Sequence, residues 1–326
     1  MKKSSKKIFR ALSAFALALL APALALADYP ERPVRIVVPF SAGGNIDLTA
    51  RAISTGMSQA LGQSVIVENK PGAGGMLGAE QVARAAPDGY TLLLASTGSL
   101  AAAPALYPKL GFDPVKDLAA SRAITQVPLV LVLNPKLPVS NVKELIALAK
   151  SRGAPLTMAS TGNGTSNHLA GELFQKMAGV QFTHVPYRGS SQALTDVLGG
   201  QVDLMFDNVP TSLPFIKSGR LKALGVTGAG RSPALPQLPT VAESGLAGFE
   251  ASTLTGIALP TGVAPEVAER IQAAMAQAMA APKVREDFAG IGAELVNLPP
   301  ADFARHMRDE GRKWSQVVRD AGVRID

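Results

Sequence analysis

Three short loops rich in Gly, Ser, Thr and Asn hold the residues best suited to chemistry in this sequence. They are Ser41 to Asn45, Ser96 to Ser99, and Ser160-Thr161-Gly162-Asn163-Gly164-Thr165. Each stands between an apolar run that reads as a strand and a segment with helical spacing. In open α/β sheets ligands bind at the carboxyl ends of the strands. A helix beginning there offers unpaired N–H groups and a partial positive charge, and glycine lets the main chain approach an anion closely. Ser41, Gly43, Gly44, Asn45, Ser96, Thr97, Thr161, Gly162, Asn163, Gly164 and Thr165 are therefore candidate contacts to a small anion held between two jaws. Two further strand ends belong near that cleft. Tyr187 and Arg188 precede a helix, and the Arg188 guanidinium either pairs with a carboxylate or makes a surface salt bridge. Asp207 and Asn208 end an apolar run. Asp207 would repel a carboxylate, so its options are water, an ammonium group, or a capping role in a turn.

Enzymatic chemistry finds less support. The sequence has no cysteine, which excludes thiol nucleophiles, disulfide scaffolds and Cys-ligated metal centres. It carries no G-x-S-x-G elbow, H-E-x-x-H helix or P-loop. His168, His184 and His306, its three histidines, have no i,i+4 partners, so no metal site is expected. Gly72-Ala73-Gly74-Gly75-Met76-Leu77 resembles a dinucleotide fingerprint but places Leu77 where the last Gly or Ala belongs, so no nicotinamide cofactor is expected either. A hydrolase using Ser96 or Ser166 near His168 is the competing reading, and a nucleophile–base pair in the cleft would support it. Binding needs less machinery. A micromolar dissociation constant takes about 8 kcal/mol, and four to six hydrogen bonds to a charged group, at roughly 1.5–3 kcal/mol each, supply it.

The elements that position these loops follow from periodicity. Strands are expected at 34–38, 64–68, 91–95, 129–133, 156–160, 180–184, 202–206 and 221–226. Helices are expected at about 46–61, 72–86, 141–150, 166–178 and 191–198. Alternating strands and helices predict a mostly parallel sheet with right-handed crossovers. The pattern restarts after residue 126, and the chain is helical beyond about 260. The expected architecture is α/β with two lobes, one from residues 28–126 plus 251–326 and the other from 127–250, joined by two chain crossings that make a hinge.

The chain has 326 residues and a formal charge of +7, but Lys2, Lys3, Lys6, Lys7 and Arg10 supply five of its 32 basic residues. Without them 27 basic residues face 25 acidic ones, a net +2, so the charge is no argument for nucleic acid. Those five precede an apolar stretch ending in Ala25-Leu26-Ala27, the pattern of a cleaved secretory signal peptide over residues 1–27. The expected location is the periplasm.

The segments around the loops carry a resemblance. Pro33-Val34-Arg35-Ile36-Val37-Val38-Pro39-Phe40, Gly43-Gly44 with Asp47 and Arg51, Val67-Glu68-Asn69-Lys70-Pro71-Gly72-Ala73-Gly74-Gly75, Pro87-Asp88-Gly89-Tyr90, His184-Val185-Pro186-Tyr187-Arg188-Gly189, Gly199-Gly200-Gln201-Val202-Asp203 and Leu238-Pro239-Thr240-Val241 stand in order along the chain. It resembles the Bug-type solute-binding proteins of tripartite tricarboxylate transporters. The resemblance implies a type II periplasmic-binding-protein fold that closes on a small mono- or dicarboxylate, or occasionally on another small organic solute. It assigns the grip to residues 40–45, adding Phe40, and to 161–165, with Asp207 near the variable part of the ligand. It also implies membrane permease subunits as partners; an extracytoplasmic sensor module signalling to a membrane partner such as a sensor kinase is a separate reading, and a monomer without a cofactor is expected. Two departures stand out. Ser41-Ala42 replaces the family's Pro-Pro, and Leu254-Thr255-Gly256 replaces its Trp-Tyr-Gly.

Overall fold

The first expected strand forms as β1 (Val34–Val38), buried except at Arg35. The structure is a computed structural model describing residues 29–107 and 110–322; the expected leader, residues 1–27, lies outside them. From β1 the chain enters α1 (Asn45–Leu61), which buries Ile46, Ala50, Ile53, Met57 and Leu61 at helical spacing and stops at Gly62 in the left-handed region. β2 (Val65–Asn69), α2 (Met76–Ala83) and β3 (Thr91–Ser96) complete a parallel trio in the order β2-β1-β3. A π-helical turn (Thr97–Ala102) then runs into the short α3 (Ala103–Leu106).

β4 (Leu118–Leu133) is far longer than the 129–133 strand expected from sequence. Ser121, Arg122, Thr125 and Gln126 interrupt its apolar pattern, which hid its first half. That half pairs with β9 (Ser252–Pro260) in one lobe, and its last five residues pair with β7 (Leu204–Asn208) in the other. β4 is thus one of the two crossings, and it makes both sheets mixed rather than purely parallel. The second lobe repeats the plan of the first. Between β4 and β7 come α4 (Val142–Ser151), β5 (Leu156–Ser160), α5 (Ser166–Ala178), β6 (Phe182–Pro186) and α6 (Ser190–Gly199). The parallel trio is β6-β5-β7. After it come α7 (Val209–Lys217) and β8 (Lys222–Val226), the latter an antiparallel neighbour of β4.

The remaining elements are α8 (Pro265–Ala280), α9 (Pro282–Gly290), β10 (Glu294–Leu295) and α10 (Pro300–Ala321). α8 packs Ile271, Ala274 and Met275 with Ile53 and Met57 of α1 in the first lobe's core. In the second lobe Phe174, Phe206 and Phe249 meet at centroid distances of 5.4–6.2 Å. α10 sends Phe303 and Met307 into a core with Val37 and Leu93, but Trp314, Val317 and Val318 into the second lobe's core with Phe174. Where β4 and β9 run together, the Thr125 and Thr255 hydroxyls meet at 2.7 Å, fully buried. A hydroxyl pair thus occupies the crossing at the Leu254-Thr255-Gly256 departure.

Candidate functional site

The carboxyl ends of β1, β3, β5, β6 and β7 converge on one cavity. Its lining has a simple origin: most of it is the first residues of four helices. Gly44, Asn45 and Ile46 open α1, Thr165, Ser166 and Asn167 open α5, Gly189 and Ser190 open α6, and Asn208 opens α7. None of these four helices has a side-chain hydrogen bond at its N-cap. Of the described α-helices only α4 has such a cap, the Asn141 side chain accepting from the Glu144 N–H. Uncapped helix starts keep their first N–H groups available and concentrate partial positive charge. Phe40, Ser96, Thr161 and Thr253 complete the wall, and no charged side chain is among the described residues lining it.

Four buried polar atoms of that wall have no hydrogen-bond partner: Asn45 Nδ2, Ser166 Oγ, Asn208 Oδ1 and Thr253 Oγ1. Their residues are only 3%, 4%, 5% and 3% exposed, respectively. A buried polar atom left unpaired costs about 1–3 kcal/mol, and four around one cavity mark a place where a polar solute completes the bonding.

Each loop is held from behind. In the first, the Asp47 carboxylate accepts the Gly43 N–H and Arg51 Nε, both at 2.9 Å, and Asn69 Nδ2 at 2.9 Å; Asn69 Nδ2 also reaches the Phe40 carbonyl. Burial works to raise the pKa of Asp47, but these donors outweigh it and hold the carboxyl below its ordinary value. In the second, His168 and His184 stack with ring centroids 3.9 Å apart. His168 Nδ1 accepts the Gly164 N–H, and His184 Nε2 meets the Ser160 hydroxyl at 2.7 Å. Burial, and then the neighbouring His168 ring, push the His184 pKa down to about 3, so this ring is neutral at ordinary pH. Thr161 Oγ1 donates to Asn167 Oδ1, and Asn167 Nδ2 donates to the Phe206 carbonyl, tying the loop to β7.

The jaws touch beside the cavity. The Ser41 N–H and hydroxyl both reach the Arg188 carbonyl, at 3.3 and 3.2 Å. The Ser191 hydroxyl donates to the Ala42 carbonyl, and the Tyr107 hydroxyl bridges the Ala73 and Asn163 carbonyls.

Of the candidate residues, Phe40, Gly44, Asn45, Ser96, Thr161, Thr165 and Asn208 line the cavity. The others stand behind it or at the jaw contact. Ser41 and Arg188 join the jaws through the Arg188 carbonyl, while the Arg188 side chain stays exposed rather than facing an anion. Gly43 binds Asp47, and Thr97 Oγ1 accepts the Leu254 N–H. Gly162, Asn163 and Gly164 spend their polar groups on Ser160, Tyr107 and His168. Tyr187 donates to Asp196. Asp207 is fully buried and does not reach the cavity; its carboxylate accepts the Ser190, Thr211 and Ser212 hydroxyls at 2.8, 2.5 and 2.7 Å. Burial pushes its pKa up, and those hydroxyls work against the rise.

As cavity-lining residues, sequence reasoning left out Ile46, Ser166 (named only as a hydrolase nucleophile), Asn167, Gly189, Ser190 and Thr253. The first five lie one or two residues into helices, or at a cap, that were already placed, so following each loop into its first helical turn finds them. Thr253 comes from β9, far along the chain, and carries no local signal. Ser166, the proposed nucleophile, does not pair with His168, whose Nδ1 holds Gly164 and whose Nε2 lies 3.4 Å from Glu172. Ser160 is buried and His184 half-buried behind the loop, and neither residue lines the cavity.

Residues 49–323 match the family described as the tripartite tricarboxylate transporter family receptor. Among solved structures, the periplasmic binding protein BugD superposes with a TM-score of 0.87 at 38% identity, over 91% of this chain and all of that one. An R. palustris protein solved with adipate gives 0.88 at 35%, over 91% of this chain and 100% of its own. MatC from Rhodopseudomonas palustris, with bound malate, gives 0.86 at 34%, over 89% of this chain and 100% of its own.

Proposed function

Since the chain belongs to the tripartite tricarboxylate transporter receptor family, we propose that it is a periplasmic solute-binding protein that captures a small organic acid with one or two carboxylates. Hinge closure of the two lobes traps the acid, and membrane permease subunits of a tripartite tricarboxylate transporter receive it. One observation carries this reading: four uncapped helix starts and four unpartnered polar atoms surround one cavity. Each helix start is equivalent to roughly half a positive charge. Four amount to about +2, enough to balance a dicarboxylate without an arginine. The expected contacts are Phe40, Gly44, Asn45, Ser96, Thr161, Thr165 and Asn208, with Ile46, Ser166, Asn167, Gly189, Ser190 and Thr253 added by the geometry.

Related proteins agree with a carboxylate. The R. palustris neighbours hold adipate and malate, and BugD is a periplasmic binding protein. The reading is one of capture: the residues lining the site offer main-chain donors and hydroxyls. Titration calorimetry over C3–C6 mono- and dicarboxylates tests the proposal. Saturable one-to-one binding of at least one acid, lost in its amide, is expected. Equal binding of acid and amide, or none across the panel, overturns it.

A further inference from the structure

We propose that an open groove between α10 and the first lobe is a docking surface for an acidic, amphipathic helix of another protein. The groove shares no residue with the solute cavity. One side of it is a single face of α10. Ala304, Arg308, Arg312, Ser315 and Arg319 follow one another at intervals of three or four residues, with Gly311 beside them. Helical geometry sets such residues in one line. The other side is apolar, built from Leu100 and Pro104 and from Pro114, Val115 and Leu118 around the turn that enters β4. Val115 is 68% exposed, more than any other large apolar side chain among the described residues.

Charge sets the sign of the partner. Three arginines line the groove, and no carboxylate is among the described residues lining it. Arg312 shares an exposed ion pair with Asp309, while Arg319 donates to Gln316 Oε1. Neither Arg308 nor Arg319 has a salt-bridge partner among the described residues. The acids nearest Val115 are held by their own turn. Asp113 accepts the Val115 and Lys116 N–H groups and pairs with Lys116, and Asp117 accepts the Asp113 N–H. Spacing sets the shape of the partner. From Arg308 to Arg319 the helix rises by about 16 Å at 1.5 Å per residue, too far for one anionic headgroup to serve both ends. A helix with an acid every three or four residues matches all three guanidinium groups, and its apolar stripe covers Val115 and Pro114. Packed helices lie about 8–10 Å apart, and Ala304, Gly311 and Ser315 are small enough to allow that approach.

The test uses the full chain and two labelled helical peptides of about 16 residues that differ only in charge. Both carry leucines at i, i+3, i+4 and i+7 spacing, flanked by glutamates in one and by lysines in the other. Fluorescence anisotropy is expected to show the acidic peptide binding about 10-fold tighter or better. That difference should shrink between roughly 50 and 500 mM salt, as screening grows. Arg308→Glu combined with Arg312→Glu should invert the preference, and Val115→Asp should weaken the acidic peptide severalfold. Thermal melts report whether each variant folds, and Val115→Asp, at an exposed position, keeps the test alive if the double variant does not. Equal binding of the two peptides, or binding of neither, overturns the proposal. A preference for the acidic peptide that survives in the variants places it elsewhere on the protein and overturns the proposal as well.

Discussion

Gly74 sits where the jaws come closest, and its replacement by alanine separates closure from folding. A Cβ at Gly74 would lie 2.0 Å from the Asn163 carbonyl oxygen and 2.9 Å from the Tyr107 hydroxyl. Reaching ordinary contact near 3.4 Å requires the second jaw to retreat by about 1.4 Å. That retreat stretches four hydrogen bonds across the gap: Tyr107 to Asn163, two from Ser41 to Arg188, and Ser191 to Ala42. At roughly 0.5–1.5 kcal/mol each, their loss weakens the closed form by about 2–6 kcal/mol. Where binding requires closure, that is an affinity lowered about 30- to 20,000-fold. Gly74 also has φ +62, so alanine adds left-handed strain of about 1–2 kcal/mol. Gly179→Ala is the matched control, with the same φ of +62 and nothing within 4 Å of the added carbon. Calorimetry with the best-binding acid, and small-angle scattering with and without it, read the two variants. Both should melt a few degrees early, and only Gly74→Ala should lose affinity and compaction on binding. Equal affinity in Gly74→Ala and Gly179→Ala would refute the argument.

Two further outcomes follow from the parts behind and away from the cavity. Since the His184 pKa falls to about 3 from 6.5, its stabilising contribution is present above pH 6.5 and is lost as pH falls towards 3. Thermal melts should show stability declining by up to about 3 kcal/mol between pH 7 and pH 4, and His184→Gln should flatten that slope; an unchanged slope contradicts the assignment. Asn141→Ala should cost about 1 kcal/mol of stability by uncapping α4 and leave solute affinity alone, as measured by denaturant titration and calorimetry.

The sequence made the loops and their helices legible because local chemistry specifies both. Val34–Val38 is β-branched, Gly62 and Gly179 end helices in the conformation that favours glycine, and Ser166–Ala178 has clear periodicity. What it concealed were arrangements fixed by distant partners. The first half of β4 reads as polar because Ser121, Thr125 and Gln126 find partners or burial only once β9 arrives from more than a hundred residues away. Asp207 looked like a ligand contact because it ends a strand, as Asn208 does. The chain turns into α7 at that point, leaving Asn208 on the cavity and Asp207 among hydroxyls. Arg188 has the right charge in the right segment, yet its main chain does the joining. Side-chain direction at a strand end depends on the neighbouring strands, and no local pattern encodes it.

The last helix carries a mechanical consequence. α10 is 22 residues long, about 33 Å at 1.5 Å per residue. Its first half is embedded in one body through Phe303 and Met307, and its second half in the other through Trp314, Val317 and Val318. Any rotation of one body against the other must therefore flex this rod, with Gly311, close against the Ala101 carbonyl, near the fulcrum. Bending or twisting this rod would resist such a rotation and limit its travel.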